Sequence, residues 1–270
     1  MRHRPLGESS WQYAGISVQD SQRWSVPRAA LVPVTSFTSL PVRRIRRDEG
    51  PVPEAEWFAR VPAVAQVLRE GWALDGATVL VGENGSGKST LVEALAVAFG
   101  LGAEGGSTAA RNVTRPSESE LWRHLLLERG AGGVRQGFFL RAETMHGLAT
   151  YLEEIGSPGA ALHEMSHGES FLELMASRMV RRGLYVLDEP ESALSFTSSL
   201  ALLAHLRELV QHGSQVVLAT HSPVLAALPG ATIWEAGPWG LRRAAWDELD
   251  LVQGWRGFLD APGRYLRHLE

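Results

Sequence analysis

The stretch "VLVGENGSGKST" (residues 79–90) decides how the rest of the sequence is interpreted. From Gly82 to Ser89 it matches the pattern G-x-x-x-x-G-K-[ST] at every fixed position. An apolar, strand-like segment enters the stretch and a helix-forming segment leaves it, which is the context this pattern requires. The glycines allow the backbone to wrap around a phosphate with its N–H groups pointing inward. The stretch is therefore predicted to be a phosphate-binding loop.

The lysine in this loop is the only lysine of the chain, although Lys and Arg together number 26. A compact ammonium fits a confined loop in which the wide planar fork of arginine would not. We expect Lys88 to contact the β- and γ-phosphates of a nucleotide and the Ser89 hydroxyl to ligate Mg²⁺. The residues predicted to surround the phosphates are Glu83, Asn84, Gly85, Ser86, Gly87, Lys88, Ser89 and Thr90.

Composition narrows the class of protein. The chain has 270 residues, of which 44% are hydrophobic and 21% charged, as in ordinary globular proteins with a real core. Its net charge of -4 provides no global attraction to nucleic acid or anionic membranes. The lack of cysteine excludes disulfides, zinc–thiolate sites and thiol nucleophiles. No long apolar run and no signal-peptide core are present, so the expected location is the cytoplasm.

Residues 1–40 lack clear periodicity and are rich in Ser, Pro, Gln and Arg, which predicts a poorly ordered leader. The arginines of "RRIRRD" (43–48) allow two interpretations, a basic arm that touches nucleic acid or a partner, or an arginine-rich edge strand beside a solvated tail. The second is favoured. Residues 41–270 are predicted to form one domain, with a helical insert at about 101–165 and a helical tail at 241–270.

Within this domain, predicted strands alternate with predicted helices, which indicates an α/β fold with a mainly parallel sheet flanked by helices. The predicted strands cover residues 77–83, 136–143, 184–190 and 215–223, followed by a hairpin over 231–237 and 240–246. The predicted helices cover residues 89–100, 117–130, 144–156, 168–183 and 192–213.

A pair of acids follows the buried segment "LYVLDEP" (184–190). Ligands of parallel sheets bind beyond the carboxyl ends of the strands, where Asp188 and Glu189 would lie. Asp188 is a candidate Mg²⁺ ligand, directly or through water. Glu189 points to the other side of the strand end and is a candidate general base for an attacking water.

Two further segments lie where they could contact an anion. In "MSHGES" (165–170), Ser166 and Glu169 form a predicted capping box, and a Ser/Gly-rich helix N-terminus is also an anion site. In "LATHSP" (218–223), His221 ends a predicted buried strand beside the expected phosphate position. An imidazole there could contact the γ-phosphate.

The order "GENGSGKST", "MSHGES", "LYVLDEP", "ATHSP" resembles that of the ATP-binding cassette (ABC) ATPases, which carry a Walker A loop, a signature motif, a Walker B strand and a switch histidine. Within that superfamily the chain most resembles small soluble bacterial proteins described as AAA/ABC-type ATPases. The resemblance covers about residues 60–236. "SHGE" stands where transporters have "SGGQ" and chromosome-maintenance ATPases, with heads of the SMC/Rad50 type, have "SGGE", so Glu169 favours the second group.

The resemblance implies a P-loop NTPase fold with a small helical subdomain, and a homodimer that forms head to tail around two ATP molecules and Mg²⁺. Lys88, Glu189 and His221 are the implied catalytic residues. Ser166, Gly168 and Glu169 of the second copy would complete the site. ATP would close the dimer and hydrolysis would open it.

Two departures from the family pattern stand out. The loop after the acid pair reads "SALS", with Ser195 where the family has Asp. The glutamine that follows the strand at 136–143 in the family is absent, and that strand offers Glu143 or Arg141 instead. Glu143 is the favoured replacement, and it could contact Mg²⁺ or the attacking water.

Three functions remain open from the sequence. The favoured one is a stand-alone cytoplasmic ATPase whose ATP-driven dimerisation acts on a protein or nucleic-acid partner. The others are the nucleotide-binding subunit of a membrane transporter and a nucleotide-gated switch with little turnover. Only 78 positions separate Lys88 from Ser166, which leaves no room for a long coiled coil and little for docking a transporter. A general base at Glu189 argues against a pure switch.

Overall fold

The computed structural model describes residues 39–51, 55–103, 105–107, 119–142 and 167–267. The chain divides into two compact units, Met1–Val34 and Thr35–Glu270, and every described residue belongs to the second. The predicted leader at 1–40 therefore lies outside the described residues, except for Ser39 and Leu40.

Strands and helices alternate along most of the described chain, as the sequence predicts. The strands are β1 (Arg44–Arg47), β2 (Trp72–Ala73), β3 (Ala77–Gly82), β4 (Gly106–Ser107), β5 (Leu125–Glu128), β6 (Gly137–Arg141), β7 (Leu184–Asp188), β8 (Gln215–Ala219), β9 (Thr232–Gly237) and β10 (Gly240–Arg243). The α-helices are α1 (Pro62–Glu70), α2 (Lys88–Phe99), α3 (His167–Arg178), α4 (Phe196–Gln211), α5 (Pro223–Ala226), α6 (Asp250–Asp260) and α7 (Pro262–Leu266). Short 3-10 turns cover Trp57–Arg60, Leu121–His124, Pro190–Ala193 and Trp246–Glu248.

The central feature is a seven-stranded sheet with the order β10-β9-β3-β8-β7-β6-β4. The five inner strands, from β9 to β6, run parallel, and the edge strands β10 and β4 are antiparallel to their neighbours. This confirms the predicted mainly parallel sheet. The register pairs Arg141 with Asp188, Asp188 with Ala219, and Ala219 with Leu80. The carboxyl ends of four strands therefore meet in one row, and this row positions the site.

Both faces of this sheet are covered, because side chains alternate between the two faces of each strand. Val79 and Val81 of β3 belong to an apolar cluster with α3, α4, α5 and α6. Leu80, between them, belongs to a second cluster with α1, α2 and the smaller sheet. All three valine and leucine side chains are fully buried. The fold is thus an α/β sheet flanked by helices, as predicted.

A smaller antiparallel sheet with the order β2-β1-β5 packs on the second cluster. Two sequence predictions fail here. The arginine-rich segment 44–47 is the central strand of this sheet and not an edge strand. Residues 125–128 form strand β5 and not part of a helix over 117–130, because they pair with β1 in full register. The Cα partners Arg46 and Leu126, for example, come from segments 80 positions apart in sequence.

The other predicted strands and helices are present, with shifted ends, where the structure describes them. Helix α2 ends at Gly100, which adopts a left-handed conformation. Helix α3 ends at Arg178, five residues earlier than predicted, and Met175 and Met179 are buried in the core. The helical tail begins after β10, since residues 240–243 are a strand. The predicted helix at 144–156 lies outside the described residues, so the helical insert remains a prediction.

Candidate functional site

The phosphate-binding loop joins β3 to α2 at the row of strand ends. Gly82, Gly85 and Gly87 all have positive φ angles, of 150°, 78° and 96°. A Cβ atom on Gly82 would collide with the carbonyl oxygen of Ala236 and lie 2.9 Å from the Ser86 hydroxyl. Only glycine tolerates both the backbone angle and this close approach. The tight turn predicted from the sequence is therefore present.

Lys88 begins α2 and is 3% exposed. Its ammonium donates a hydrogen bond to the backbone carbonyl of Glu83, over 3.2 Å, which holds it across the mouth of the loop. Burial lowers the pKa of Lys88, and the nearby carboxylates of Glu189, Asp188 and Glu191 oppose that effect. The Lys88 ammonium is a largely desolvated cation whose hydrogen-bond partner is a neutral backbone carbonyl. Phosphate oxygens are stronger partners for such a cation.

Asp188 ends β7 and is 3% exposed. Burial raises the pKa of Asp188 to about 6, against the attraction of the Arg141 guanidinium and a hydrogen bond with Ser89. One of its carboxylate oxygens, Oδ1, is buried and has no hydrogen-bond partner. An orphaned carboxylate oxygen beside a serine hydroxyl is a suitable donor set for a hard divalent cation such as Mg²⁺. Ser89 and Asp188 therefore fit the predicted metal role.

No group of three or more His, Asp or Glu side chains in the described ranges could hold a metal ion without further ligands. Mg²⁺ at nucleotide sites is usually held by one or two protein groups together with phosphate oxygens and water. A metal site of this kind is complete only when the nucleotide is bound.

Glu189 adopts a left-handed backbone conformation, with φ 49° and ψ 47°, at the point where β7 passes into the turn 190–193. Among the described non-glycine residues, no other has a positive φ. Such strain costs about 1–3 kcal/mol and persists only where the surroundings impose it. The Glu189 amide donates to the Ala219 carbonyl over 2.9 Å, which extends the pairing of β7 with β8 up to this residue.

The side chain of Glu189 lies beside that of His221. Its Oε1 atom lies 3.2 Å from Nε2 of His221, and both side chains are about one-third exposed. His221 follows the end of β8, the strand next to β7. The structure thus brings together Lys88, Asp188, Glu189 and His221, four residues singled out from the sequence. A partly exposed carboxylate in contact with both an imidazole and solvent can accept a proton from water.

Sequence reasoning missed the role of Glu191. Its Oε1 atom accepts a hydrogen bond from the backbone amide of His221. Its Oε2 atom is buried without a hydrogen-bond partner. This contact ties the turn after β7 to the loop after β8 and so holds the imidazole near Glu189. The third carboxylate in "DEPE" was a visible signal, but its partner lies 30 positions away.

Arg141, considered from the sequence as an alternative to Glu143, lies under the site. Its guanidinium donates to Glu93 of α2 over 3.1 Å and lies 3.5 Å from the Asp188 carboxylate. Arg141, Glu93 and Asp188 are each at most 9% exposed. This buried cluster cross-links β6, α2 and β7 beneath the metal-binding candidates. Glu143 itself lies outside the described residues.

The structure describes only some of the residues that are predicted to complete the site from a second copy. Ser166 lies outside the described residues, and Gly168 and Glu169 lie in the first turn of α3. Helix α3 begins at His167, next to the predicted cap. Ser195, the departure from the family pattern, caps α4 by accepting a hydrogen bond from the Ser198 amide over 3.1 Å. Its hydroxyl therefore has a structural role.

A family described as "AAA domain, putative AbiEii toxin, Type IV TA system" matches residues 77–132 and 126–227, which is more than half of the chain. An "Uncharacterized ABC transporter ATP-binding protein" of Haemophilus influenzae is 26% identical over 181 residues. The match covers 57% of this chain and 67% of that protein. The chain belongs to the AAA family of ABC-type P-loop ATPases.

Other similarities of this ABC-type ATPase are partial. The "ABC-type transporter adrC" of Penicillium roqueforti is 30% identical over 184 residues, 57% of this chain but 12% of that protein. The chain thus spans only part of the curated relatives it matches. A solved "Structure of ATP binding subunit of ABC transporter" shares 17% identity with a TM-score of 0.42, over 80% of this chain and 95% of that one. No helix in the described part of the ATPase has the length and apolar character needed to cross a membrane.

Proposed function

We propose that this ABC-type ATPase binds ATP with Mg²⁺ and hydrolyses it. The observation that carries the proposal is the convergence of Lys88, Asp188, Glu189 and His221 on one edge of the parallel sheet. Within this set, a strained Glu189 lies 3.2 Å from His221. Backbone strain and an unpartnered carboxylate oxygen at the same place are typical of a site built for chemistry and not for stability.

Each residue has a distinct role in the proposed reaction. Amides of the loop 82–89 and the Lys88 ammonium bind the phosphates and stabilise the charge that develops on the γ-phosphoryl oxygens. Ser89 and Asp188 would hold Mg²⁺, which neutralises phosphate charge when bound. Glu189 orients a water molecule and accepts its proton as the water oxygen attacks the γ-phosphorus, whose bond to the bridging oxygen breaks so that ADP leaves with that oxygen. His221 holds the Glu189 carboxylate in place and contacts the γ-phosphate.

The proposal includes a head-to-tail homodimer. Asn84 and Gly85 at the apex of the loop are exposed, and a cleft of 390 Å³ opens beside them, lined also by His221 and Trp239. One chain therefore surrounds a bound nucleotide on one side only. Ser166, Gly168 and Glu169 of a second copy would supply the missing donors, as the family resemblance implies.

Phosphate release measured against protein concentration tests the catalytic part of this proposal. We expect specific activity to rise with protein concentration, because two chains make one complete site. Glu189→Gln should abolish turnover but retain ATP binding, whereas Lys88→Ala should lose both. Glu208→Gln, which changes an exposed glutamate on α4, is the matched control and should behave as wild type. Full turnover by Glu189→Gln would refute the assignment of the base.

A second candidate function is the nucleotide-binding subunit of a membrane transporter, and the names of the relatives favour it. Co-purification of the chain with a membrane protein would support it. A nucleotide-gated switch with little turnover is the third candidate, and ATP binding without phosphate release at high protein concentration would support that one. The stand-alone cytoplasmic ATPase remains our proposal, with a protein or nucleic acid as its partner.

A further inference from the structure

A second cleft lies on the smaller sheet, away from the phosphate-binding loop. Its volume is 380 Å³, within the range of small-ligand sites. We name it the arginine cleft, and the residues that line it are Arg44, Arg46, Arg47, Leu68, Arg69, Glu70, Gly71 and Glu128. Three of its arginines come from the segment that the sequence singled out as a basic arm or a solvated strand.

The fold makes specific room for one of these guanidinium groups. Gly71, just after α1, has a φ angle of 75°, and a Cβ atom there would lie 2.8 Å from Nε of Arg44 and 2.8 Å from the Ile45 carbonyl oxygen. The Arg44 guanidinium also donates to the carbonyl oxygen of Glu70, at the C-terminal end of α1. Arg44 is therefore held against the helix end, and its cost of ordering on ligand binding is reduced.

The cleft carries more positive than negative charge. Arg46 lies 2.6 Å from the Glu128 carboxylate and Arg69 lies 3.6 Å from that of Glu70. Neither Arg44 nor Arg47 forms an ion pair with any carboxylate of the described chain. Of the described residues that line this concave surface, four carry a guanidinium group and two carry a carboxylate, an excess of two positive charges. Such a surface attracts anions.

We propose that the arginine cleft binds phosphate groups of a ligand other than the ATP at the phosphate-binding loop. Guanidinium groups present paired N–H donors in a planar fork that matches two phosphate oxygens. Phosphate is therefore the anion that clustered arginines recognise best. The phosphate source is either the phosphodiester backbone of a nucleic acid or a small free phosphate compound, and the two differ in length and in salt dependence.

The arginine cleft is separate from the ATP site but shares a helix with it. Pro62, at the start of α1, lines the cleft beside the phosphate-binding loop, and Arg69 and Glu70, at its end, line the arginine cleft. A nine-residue helix spans about 13 Å at a rise of 1.5 Å per residue. Because the two clefts have no lining residue in common, phosphate binding at the arginine cleft does not depend on the proposed ATP hydrolysis, and either proposal can fail without the other.

Fluorescence anisotropy of the full chain with labelled 20-nucleotide single-stranded and duplex DNA, without nucleotide, tests the proposal. The variant Arg44→Gln/Arg47→Gln should bind at least about tenfold more weakly. Its slope of log affinity against log salt should fall by about two, because each phosphate contact contributes about 0.9. The matched control Arg207→Gln/Arg264→Gln removes two exposed charges elsewhere and should stay within threefold of wild type. Equal loss in both variants would overturn the proposal.

Three further measurements keep the result interpretable. Arg47→Gln alone, at a residue whose side chain makes no hydrogen bond or ion pair to the described chain, should weaken binding without changing the melting temperature. Lys88→Ala should bind the oligonucleotide as wild type does, which separates this site from the ATP site. Calorimetry of the Lys88→Ala variant with pyrophosphate identifies the source, because the phosphate-binding loop of this variant should no longer bind the probe. Binding of pyrophosphate but not DNA supports a small phosphate ligand, and binding of neither probe by wild type refutes the proposal.

Discussion

Replacing Asp188 by Asn should stabilise the protein without nucleotide while it removes a predicted Mg²⁺ ligand. Asp188 is 3% exposed, and its burial raises the pKa from 3.8 to about 6. Its charged form therefore costs folding free energy that the neutral form does not. A shift of about two units corresponds to roughly 3 kcal/mol, since each unit is about 1.4 kcal/mol. Asn resembles the neutral acid in size and polarity and avoids this cost.

The stability that Asp188→Asn gains over wild type should shrink as the pH falls. Above pH 6 the carboxyl is charged in both the folded and the unfolded chain, so the full cost applies to the wild type. As pH falls through 6 towards 4, the folded state takes up a proton before the unfolded state does, and the cost disappears. The advantage of Asp188→Asn should be about 3 kcal/mol at pH 7.5 and about half of that at pH 5. Near pH 4 it should fall to about 0.5 kcal/mol.

Urea and thermal unfolding in EDTA at pH 7.5, 5 and 4 measure this difference. At pH 7.5 the melting temperature of the variant should exceed that of wild type by about 6–12 °C, at 2–4 °C per kcal/mol for a chain of this size. Asp260→Asn, at an exposed position, is the control and should show no such gap. A variant that is less stable than wild type at pH 7.5, or a gap independent of pH, would refute the reasoning.

Three other substitutions test separate contacts. Lys88→Arg should weaken ATP binding by roughly 10- to 100-fold in calorimetry, because a guanidinium cannot reproduce the charged hydrogen bonds of a confined ammonium. A near-normal affinity would show that the loop accepts the planar guanidinium group. Glu191→Leu should lower kcat by roughly tenfold or more with little change in KM, because the loop that carries His221 loses a hydrogen-bond acceptor that holds it. Glu191→Gln keeps an acceptor and should retain most of the activity. Equal effects of the two substitutions would exclude a positioning role for Glu191. Gly82→Ala should destabilise the fold by about 3 kcal/mol in a urea titration, because the added Cβ collides with backbone and the φ angle is unfavourable for alanine. Gly76→Ala is the control and should be nearly neutral, because the space around Gly76 is open.

The features that the sequence predicts well are those set by neighbouring residues. The phosphate-binding loop needs a strand, glycines and a helix in immediate succession, so residues 79–90 are sufficient to recognise it. Asp188 and Glu189 are similar, because they directly follow a buried strand. His221 could be placed near them because parallel strands end at one edge of the sheet. The contact between Glu189 and His221 agrees with that placement.

The features that the sequence did not predict depend on segments far apart along the chain. "LLLE" at 125–128 has good intrinsic helix propensity, but its backbone pairs with β1, and that pairing overrides the local preference. Arg141 reaches Glu93 of α2 across 48 positions, and the register of β6 with β7 brings Arg141 beside Asp188. The left-handed backbone conformation of Glu189 also has no signal in the sequence, since a non-glycine residue rarely adopts it.

The most direct test of the central claim is light scattering of Glu189→Gln with Mg²⁺ and ATP. The account predicts a stable dimer that contains two ATP molecules, because nucleotide joins two half-sites and the missing base prevents its hydrolysis. Lys88→Ala under the same conditions should remain monomeric. A Glu189→Gln chain that binds ATP yet stays monomeric at every concentration would contradict the claim that two copies share the site.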